Sequence, residues 1–365
     1  MSIAVITYFT GQNMPYADRL NLIQEIERSR GSHVISYLTS IRPNVSAQMS
    51  EDAIRVFFDH LLLLPTKPVD NLDIFLCSNG GAGTVPWRLV SLFREYAKKF
   101  SVLIPYRAYS AATLLALGAD EIVMHPFAEM GPIDPTVSNE FNPMEQGTGR
   151  RLGISVEDVK AYVSFIKSTV GITHEDELVK TIEILANKVH PLALGNVERF
   201  ISQTRLIARK ILRTHMREER DEHSIDEIIE NMASKLYFHG HPINRAEAKN
   251  ELKLKVTTEL PAGLESAMWN LYKDYEAELQ NHIPYNCVGE LMAKAIDPNT
   301  DVIDPQTIKM AQIKHTMPIV FIESGRLSSK FLHEQRFAYM GNGPNGEPVI
   351  RQDIISQRWD HSSSP

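Results

Sequence analysis

Two short stretches carry residues whose types and spacing could do chemistry, and a third follows them closely. "SNGGAG", residues 78–83, comes directly after the apolar run "NLDIFLC". Glycines at that point let the backbone turn tightly and leave N–H groups open to a ligand. "YSAATLLALG", residues 109–118, sets Ser110 before Leu114, Leu115 and Leu117, with small residues Ala111 and Ala112 beside it. A serine there can cap a helix. It can also be a nucleophile at a helix N-terminus, where N–H groups and the positive dipole end favour a developing oxyanion. The third stretch, "EMGPIDP", spans residues 129–135. No Gly-Lys-Ser or Gly-Lys-Thr ending follows Gly80-Gly81, so a phosphate loop is disfavoured.

These residues need strands and helices to bring them together. "HVISYLTS" (33–40), "NLDIFLC" (71–77), "SVLIPY" (101–106) and "DEIVM" (120–124) have the branched and aromatic content of strands. Helical patterns alternate with them: Ser50 through Leu64, residues 85–100 with Leu89, Leu92, Phe93 and Tyr96 on one face, and Ser110 to Leu117. Such alternation predicts an α/β layered domain with largely parallel pairing. Both chemical stretches then fall at strand C-terminal ends, so a hydroxyl and N–H donors share one crevice. Beyond Ser155 the chain turns helical to about Lys235, a short helix starts at Asn244, and residues 261–295 read helical again. "PIVFIESGRL" and the glycine-rich turn at 341–346 predict C-terminal strands with a hairpin.

The 365 residues are 43% hydrophobic and 23% charged, ordinary for a protein with a real core. A net charge of −7 does not favour nucleic acid. The basic residues from Arg205 to Arg220 alternate with Glu and read as a solvated helix face. Two cysteines, Cys77 and Cys287, make neither a disulfide framework nor a metal motif. His239 and His241 lack a third ligand at metal-site spacing, so no metal or cofactor is expected. No apolar run reaches the ~18 residues needed to span a bilayer, and no signal peptide is evident at the start, which points to a cytoplasmic protein.

"DIFLCSNGGAG", "YRAYSAATLLALGADEIVM" and "EMGPIDP", in that order, resemble the Clp protease, signal-peptide-peptidase-A and crotonase-fold superfamily. More narrowly they resemble the serine dehydrogenase proteinase family, and "HGHPINRAEAK" resembles that family's later segment. The resemblance covers roughly residues 33–260. It implies a Clp/crotonase-like α/β fold of repeated ββα and βα units, with a helical segment and a C-terminal extension. The organisation expected is an N-terminal arm (1–32), a protease domain (33–260) and a helical and strand extension (261–365).

Carried onto this chain, the resemblance makes Ser110 the nucleophile, with the N–H of Ala111 and of Gly80 or Gly81 as oxyanion donors. It implies cleavage of a peptide or protein substrate through an acyl-enzyme, without metal or cofactor, in a homo-oligomer. Ala112 departs from the pattern, because relatives carry Gly there. Relatives with a Ser–Lys dyad direct attention to Lys160 on "VEDVKAYV" as base, with Lys167 behind it. A lysine near pKa ~10.4 must be lowered by burial to serve. His125 is the Ser–His alternative, although Clp-type histidines align nearer Ile133 and Asp134. Two other readings compete: a catalytically inactive Clp-fold module that binds peptide or supports assembly, and crotonase-like acyl-CoA chemistry, which gives Ser110 no task.

Overall fold

The computed structural model describes residues 16–133, 136–137, 140–145, 151–235, 241–294, 312–344 and 346–363. In chain order the elements begin with α1 (Tyr16–Arg30), β1 (His33–Thr39), α2 (Asp52–Leu62), β2 (Val69–Cys77), α3 (Val85–Tyr96) and β3 (Ala97–Ile104). Next come β4 (Arg107–Ala108), α4 (Ala111–Leu117), β5 (Glu121–Met124), β6 (Glu129–Met130), β7 (Thr136–Val137) and β8 (Ile154–Ser155). The helical stretch is α5 (Val156–Ser164), a π-helical turn (Phe165–Thr169), α6 (Glu175–Ala186), α7 (Pro191–Leu212), α8 (Asp221–Glu230) and a second π-helical turn (Asn231–Lys235). The chain continues with β9 (Ile243–Asn244), α9 (Arg245–Asn250), β10 (Val256–Thr257), α10 (Leu264–Leu279), α11 (Cys287–Lys294), β11 (Gln312–Ser324), β12 (Leu327–Asn342) and β13 (Pro348–Ser363).

These elements form two compact units, one of Met1–Gln48, Arg55–Ser78 and Glu259–Pro365, the other of Met49–Ile54 and Asn79–Thr258. In the first unit β1 pairs parallel with β2 and antiparallel with β11, and β11, β12 and β13 continue as an antiparallel meander. From Val34 to Thr39 β1 is buried at every position, so its apolar run answers to cover on both faces rather than one. Arg19 of α1 is fully buried and bonds Asp274 (2.6 Å), Glu278 (2.6 Å) and Glu323 (2.9 Å). Its guanidinium also lies over the rings of Tyr275 and Phe321.

In the second unit β3, β5 and β10 pair parallel. Helix α3 starts with Pro86 in its first turn, where a missing N–H costs nothing, and buries Leu89, Val90 and Phe93. It stops earlier than its pattern suggests. Ala97 is already extended (φ −141, ψ 137), and "AKKF" opens β3 instead of closing the helix. In this strand start Ala97 and Phe100 are buried while Lys98 and Lys99 stay exposed. Asn244 caps α9 by accepting from the N–H groups of Ala246 and Glu247, as the short helix from Asn244 required. The basic face of α7 is laced to α8 through Arg205–Glu230 (2.8 Å), Arg209–Glu222 (3.4 Å) and Arg213–Glu222 (2.8 Å). Strand and helix alternation with parallel pairing makes this an α/β fold.

Candidate active site

The glycine pair follows β2 and is clamped by one residue that the sequence alone did not mark. Met49 donates its N–H to the Gly80 carbonyl (2.8 Å), and its own carbonyl accepts from Ala82 N–H (2.9 Å). The N–H of Gly81, between those two bonds, has no hydrogen-bond partner among the described residues. Gly80 has φ +92, and a Cβ there would sit 2.6 Å from the Tyr109 carbonyl oxygen and 2.9 Å from Ala111 N. Only glycine allows this approach, so Gly80 and the Tyr109–Ala111 segment are in mutual contact.

Ser110 occupies the position before α4 with φ 52 and ψ −114, a region that L-residues with a Cβ rarely adopt. Its side chain makes no capping bond, so the helix-cap reading of this serine does not hold. The residue is half-exposed, and its hydroxyl is unbonded among the described residues. A strained backbone carrying an unpaired hydroxyl belongs to the class of feature that clusters at active sites, at a cost of roughly 1–3 kcal/mol. Ala111 follows in the first turn, its N–H beyond the reach of any intrahelical acceptor. Ala112 is fully buried, which places its methyl inside the packing of α4.

Several contacts hold Ser110 in place. The Thr113 hydroxyl lies 2.7 Å from the Ala108 carbonyl and 2.8 Å from the Gly131 carbonyl, tying α4 to "EMGPIDP". Gly131 donates its N–H to Ala108 (3.0 Å), and a Cβ on it would meet the Tyr109 ring at 2.9 Å. The Tyr109 hydroxyl donates to Glu129 (2.6 Å); burial first, then this carboxylate, pushes the phenol well above its usual pKa. Arg107 pairs with Glu129 (3.1 Å) and stacks near Tyr106 and Tyr109. At the far end of α4, His215 Nε2 meets the Leu117 carbonyl at 2.9 Å, and burial lowers its pKa. Met49, Thr113 and the Tyr109–Glu129 pair escaped the sequence reading. Only Thr113 carried a signal, as a hydroxyl inside an otherwise apolar helical run.

The base candidates fall at different places. Lys160 is in α5, and its side chain lies outside the described residues. Lys167 is exposed in the first π-helical turn, beside a small apolar cavity lined by Tyr162, Ile166, Leu178 and Ile182. His125 follows β5, where its Nδ1 accepts from Phe127 N–H (3.1 Å). No side chain among the described residues hydrogen-bonds the Ser110 hydroxyl. Asp134 and His239 lie outside the described residues. His241 pairs with Glu247 (2.8 Å), a turn contact, and the described residues contain no group of side chains arranged to hold a metal.

A strand-to-helix serine packed against a glycine turn, on an α/β fold, is an arrangement that can present a hydroxyl beside backbone N–H donors. Residues 4–145 match the family described as ClpP-like SDH-type serine proteinase, and the family recognised from the motifs is borne out over that span. This supports peptidase function in general terms. Among curated proteins the chain is similar to an uncharacterized protein of Methanocaldococcus jannaschii, MJ1495, at 24% identity over 67% of this chain and 73% of that one. A second protein of the same organism, MJ0137, is 22% identical over 70% of this chain and 78% of its own length. Two solved structures of the 1510-N membrane-bound stomatin-specific protease align at 18% identity. One is a serine-to-alanine mutant, covering 38% of this chain and 62% of that one with a TM-score of 0.26. The other, a lysine-to-alanine mutant in complex with a substrate peptide, covers 38% and 58% with a TM-score of 0.25. Among the described residues no helix is long and apolar enough to cross a membrane.

Proposed function

We propose that this chain is a serine peptidase that cleaves peptide bonds through an acyl-enzyme on Ser110. The reading is carried by one observation: Ser110 holds a hydroxyl unpaired among the described residues, on a strained backbone, against Gly80. The Ser110 oxygen attacks the scissile carbonyl, and its proton passes to the base. The tetrahedral oxyanion is held by the N–H groups of Ala111 and of Gly80 or Gly81, of which Gly81 has its N–H unpartnered among the described residues. Collapse expels the amine with a proton from the base, and water releases the acyl group by the reverse path. Lys160 is the proposed base, with Lys167 and His125 as alternatives, and neither metal nor cofactor takes part. The protease domain proposed is 33–260, between an arm (1–32) and an extension (261–365), in a cytoplasmic homo-oligomer acting on peptide or protein.

The competing reading is a catalytically inactive module of the same fold, which binds peptide or supports assembly. It draws on the Ser110 hydroxyl having no base bonded to it among the described residues, and on the buried methyl of Ala112. A fluorophosphonate serine probe separates the two. Labelling that disappears in Ser110→Ala is expected. Absence of labelling in the wild type favours the inactive module, and labelling that persists in Ser110→Ala removes the nucleophile assignment. Labelling against pH in Lys160→Ala, Lys167→Ala and His125→Ala then identifies the base, since only the true base shifts the profile.

A further inference from the structure

β13 is the last strand of its sheet, and among the described residues its outer edge pairs with no other strand. It is 16 residues long, and Val349, Ile354 and Ile355 on it are exposed. A long row of open N–H and C=O groups is a template for another strand.

The charges along this edge have a definite symmetry. β12 pairs Lys330 with Asp360, Leu332 with Arg358, Glu334 with Ser356, Arg336 with Asp353 and Ala338 with Arg351. Residues two apart share a face of a strand, so Arg351, Asp353, Ser356, Arg358 and Asp360 all lie on one face. Ile354 pairs with Gln335 while Ser356 pairs with Glu334, so Ile355 is a bulged extra residue without a ladder position. Counted on the β12 ladder from Glu334, Asp353 and Arg358 stand two positions either side of Ser356, and Arg351 and Asp360 four positions.

We propose that β13 pairs antiparallel with β13 of a second copy of this chain, about a two-fold axis at Ser356. In that register Asp353 faces the partner's Arg358 and Arg351 faces the partner's Asp360, and the two-fold repeats both pairs. Moving the axis one ladder position either way sets Arg351 against the partner's Arg358, or Asp353 against the partner's Asp360. Like charges opposite each other destabilise a ladder, so the pattern specifies one register. Asp353 already bonds Arg336 (2.9 Å) and Arg358 reaches Glu334 (3.4 Å), so the new pairs extend an existing charge network. Asp360 has no ion pair among the described residues. The pattern is self-complementary, which favours a second copy over an unrelated peptide as occupant.

The proposal gives the expected homo-oligomer a surface and does not rest on the peptidase reading. Sedimentation velocity on the full chain tests it. Arg351→Asp and Asp360→Arg each replace two attractive pairs with two repulsive ones, and each is expected to weaken association by about tenfold. Mixing the two single variants restores association, because each chain then faces opposite charges on its partner. The double variant Arg351→Asp with Asp360→Arg restores it as well. Within one chain these residues are eight ladder positions apart, roughly 26 Å at strand rise, so rescue arises only between chains. A wild type that stays monomeric at micromolar concentration overturns the proposal, as does association unchanged by both single variants, or single variants not rescued on mixing. Ser110 probe labelling, followed in parallel, reports on the peptidase reading alone.

Discussion

The Arg19 cluster of the first unit and the Ser110 turn of the second handle their polar groups in opposite ways. In the first, Arg19 is held by three carboxylates, Glu323 also accepts from Tyr275 and Ser328, and Glu278 is shared with Lys330. His60, also buried there, spends both ring nitrogens on Ser324 (2.9 Å) and Ser329 (3.1 Å). In the second unit the Ser110 backbone is strained, and neither the Ser110 hydroxyl nor the Gly81 N–H has a hydrogen-bond partner among the described residues. Satisfied networks of the first kind fix a core in one arrangement. Unspent donors on a strained, partly exposed turn are open to solvent or to a ligand. The contrast teaches where to look for chemistry: at the polar groups the fold positions but does not satisfy.

The contrast breaks most sharply at Ser110. Ser110→Ala is expected to abolish hydrolysis, a loss on the order of 10³-fold or more read by peptide turnover, with little change in thermal unfolding. Arg19→Leu is expected to do the reverse. It leaves Asp274, Glu278 and Glu323 without their shared counter-charge, costing roughly 3–5 kcal/mol in denaturant unfolding, while the folded fraction keeps its probe labelling. Gly80→Ala should stand between them. Its methyl must displace the Tyr109 carbonyl at 2.6 Å, and a loss of about 10²-fold in turnover is expected, because positioning errors of this size cost that much.

A pH titration sharpens the same comparison on the satisfied side. Burial pushes the His60 imidazole down to about 3, below the ~6.5 of an unfolded chain. Between these values the unfolded state binds the extra proton, so stability rises with pH across that window and is level above it. The His60 contribution to the slope is up to about 1.4 kcal/mol per pH unit, and His60→Gln should remove it from stability measured against pH. Thr113→Val is the smallest step. It withdraws one hydroxyl from the Ala108 and Gly131 carbonyls, with an expected cost of about 1–2 kcal/mol in unfolding and a parallel slowing of turnover.

Much of this molecule is legible in its sequence. Branched and aromatic runs named β1 and β2, Asn244 named the start of α9, and the glycine-rich turn named the β12–β13 hairpin, because local propensity and burial agree at each. The end of α3 could not be read, since the apolar residues of "AKKF" continue the helical spacing although the backbone is already extended at Ala97. "SNGGAG" and "YSAATLL" were legible as chemistry because glycine and serine types limit what those positions can do. Sequence by itself therefore determined the family resemblance, the alternation of strand and helix, and which serine and glycines could carry chemistry. Only the tertiary structure decided that Ser110 is not a cap, that Met49 clamps the glycine turn and that Thr113 bridges α4 to Gly131. Those facts depend on contacts between segments far apart in the chain, and on a φ angle that the surrounding fold imposes and no local preference supplies.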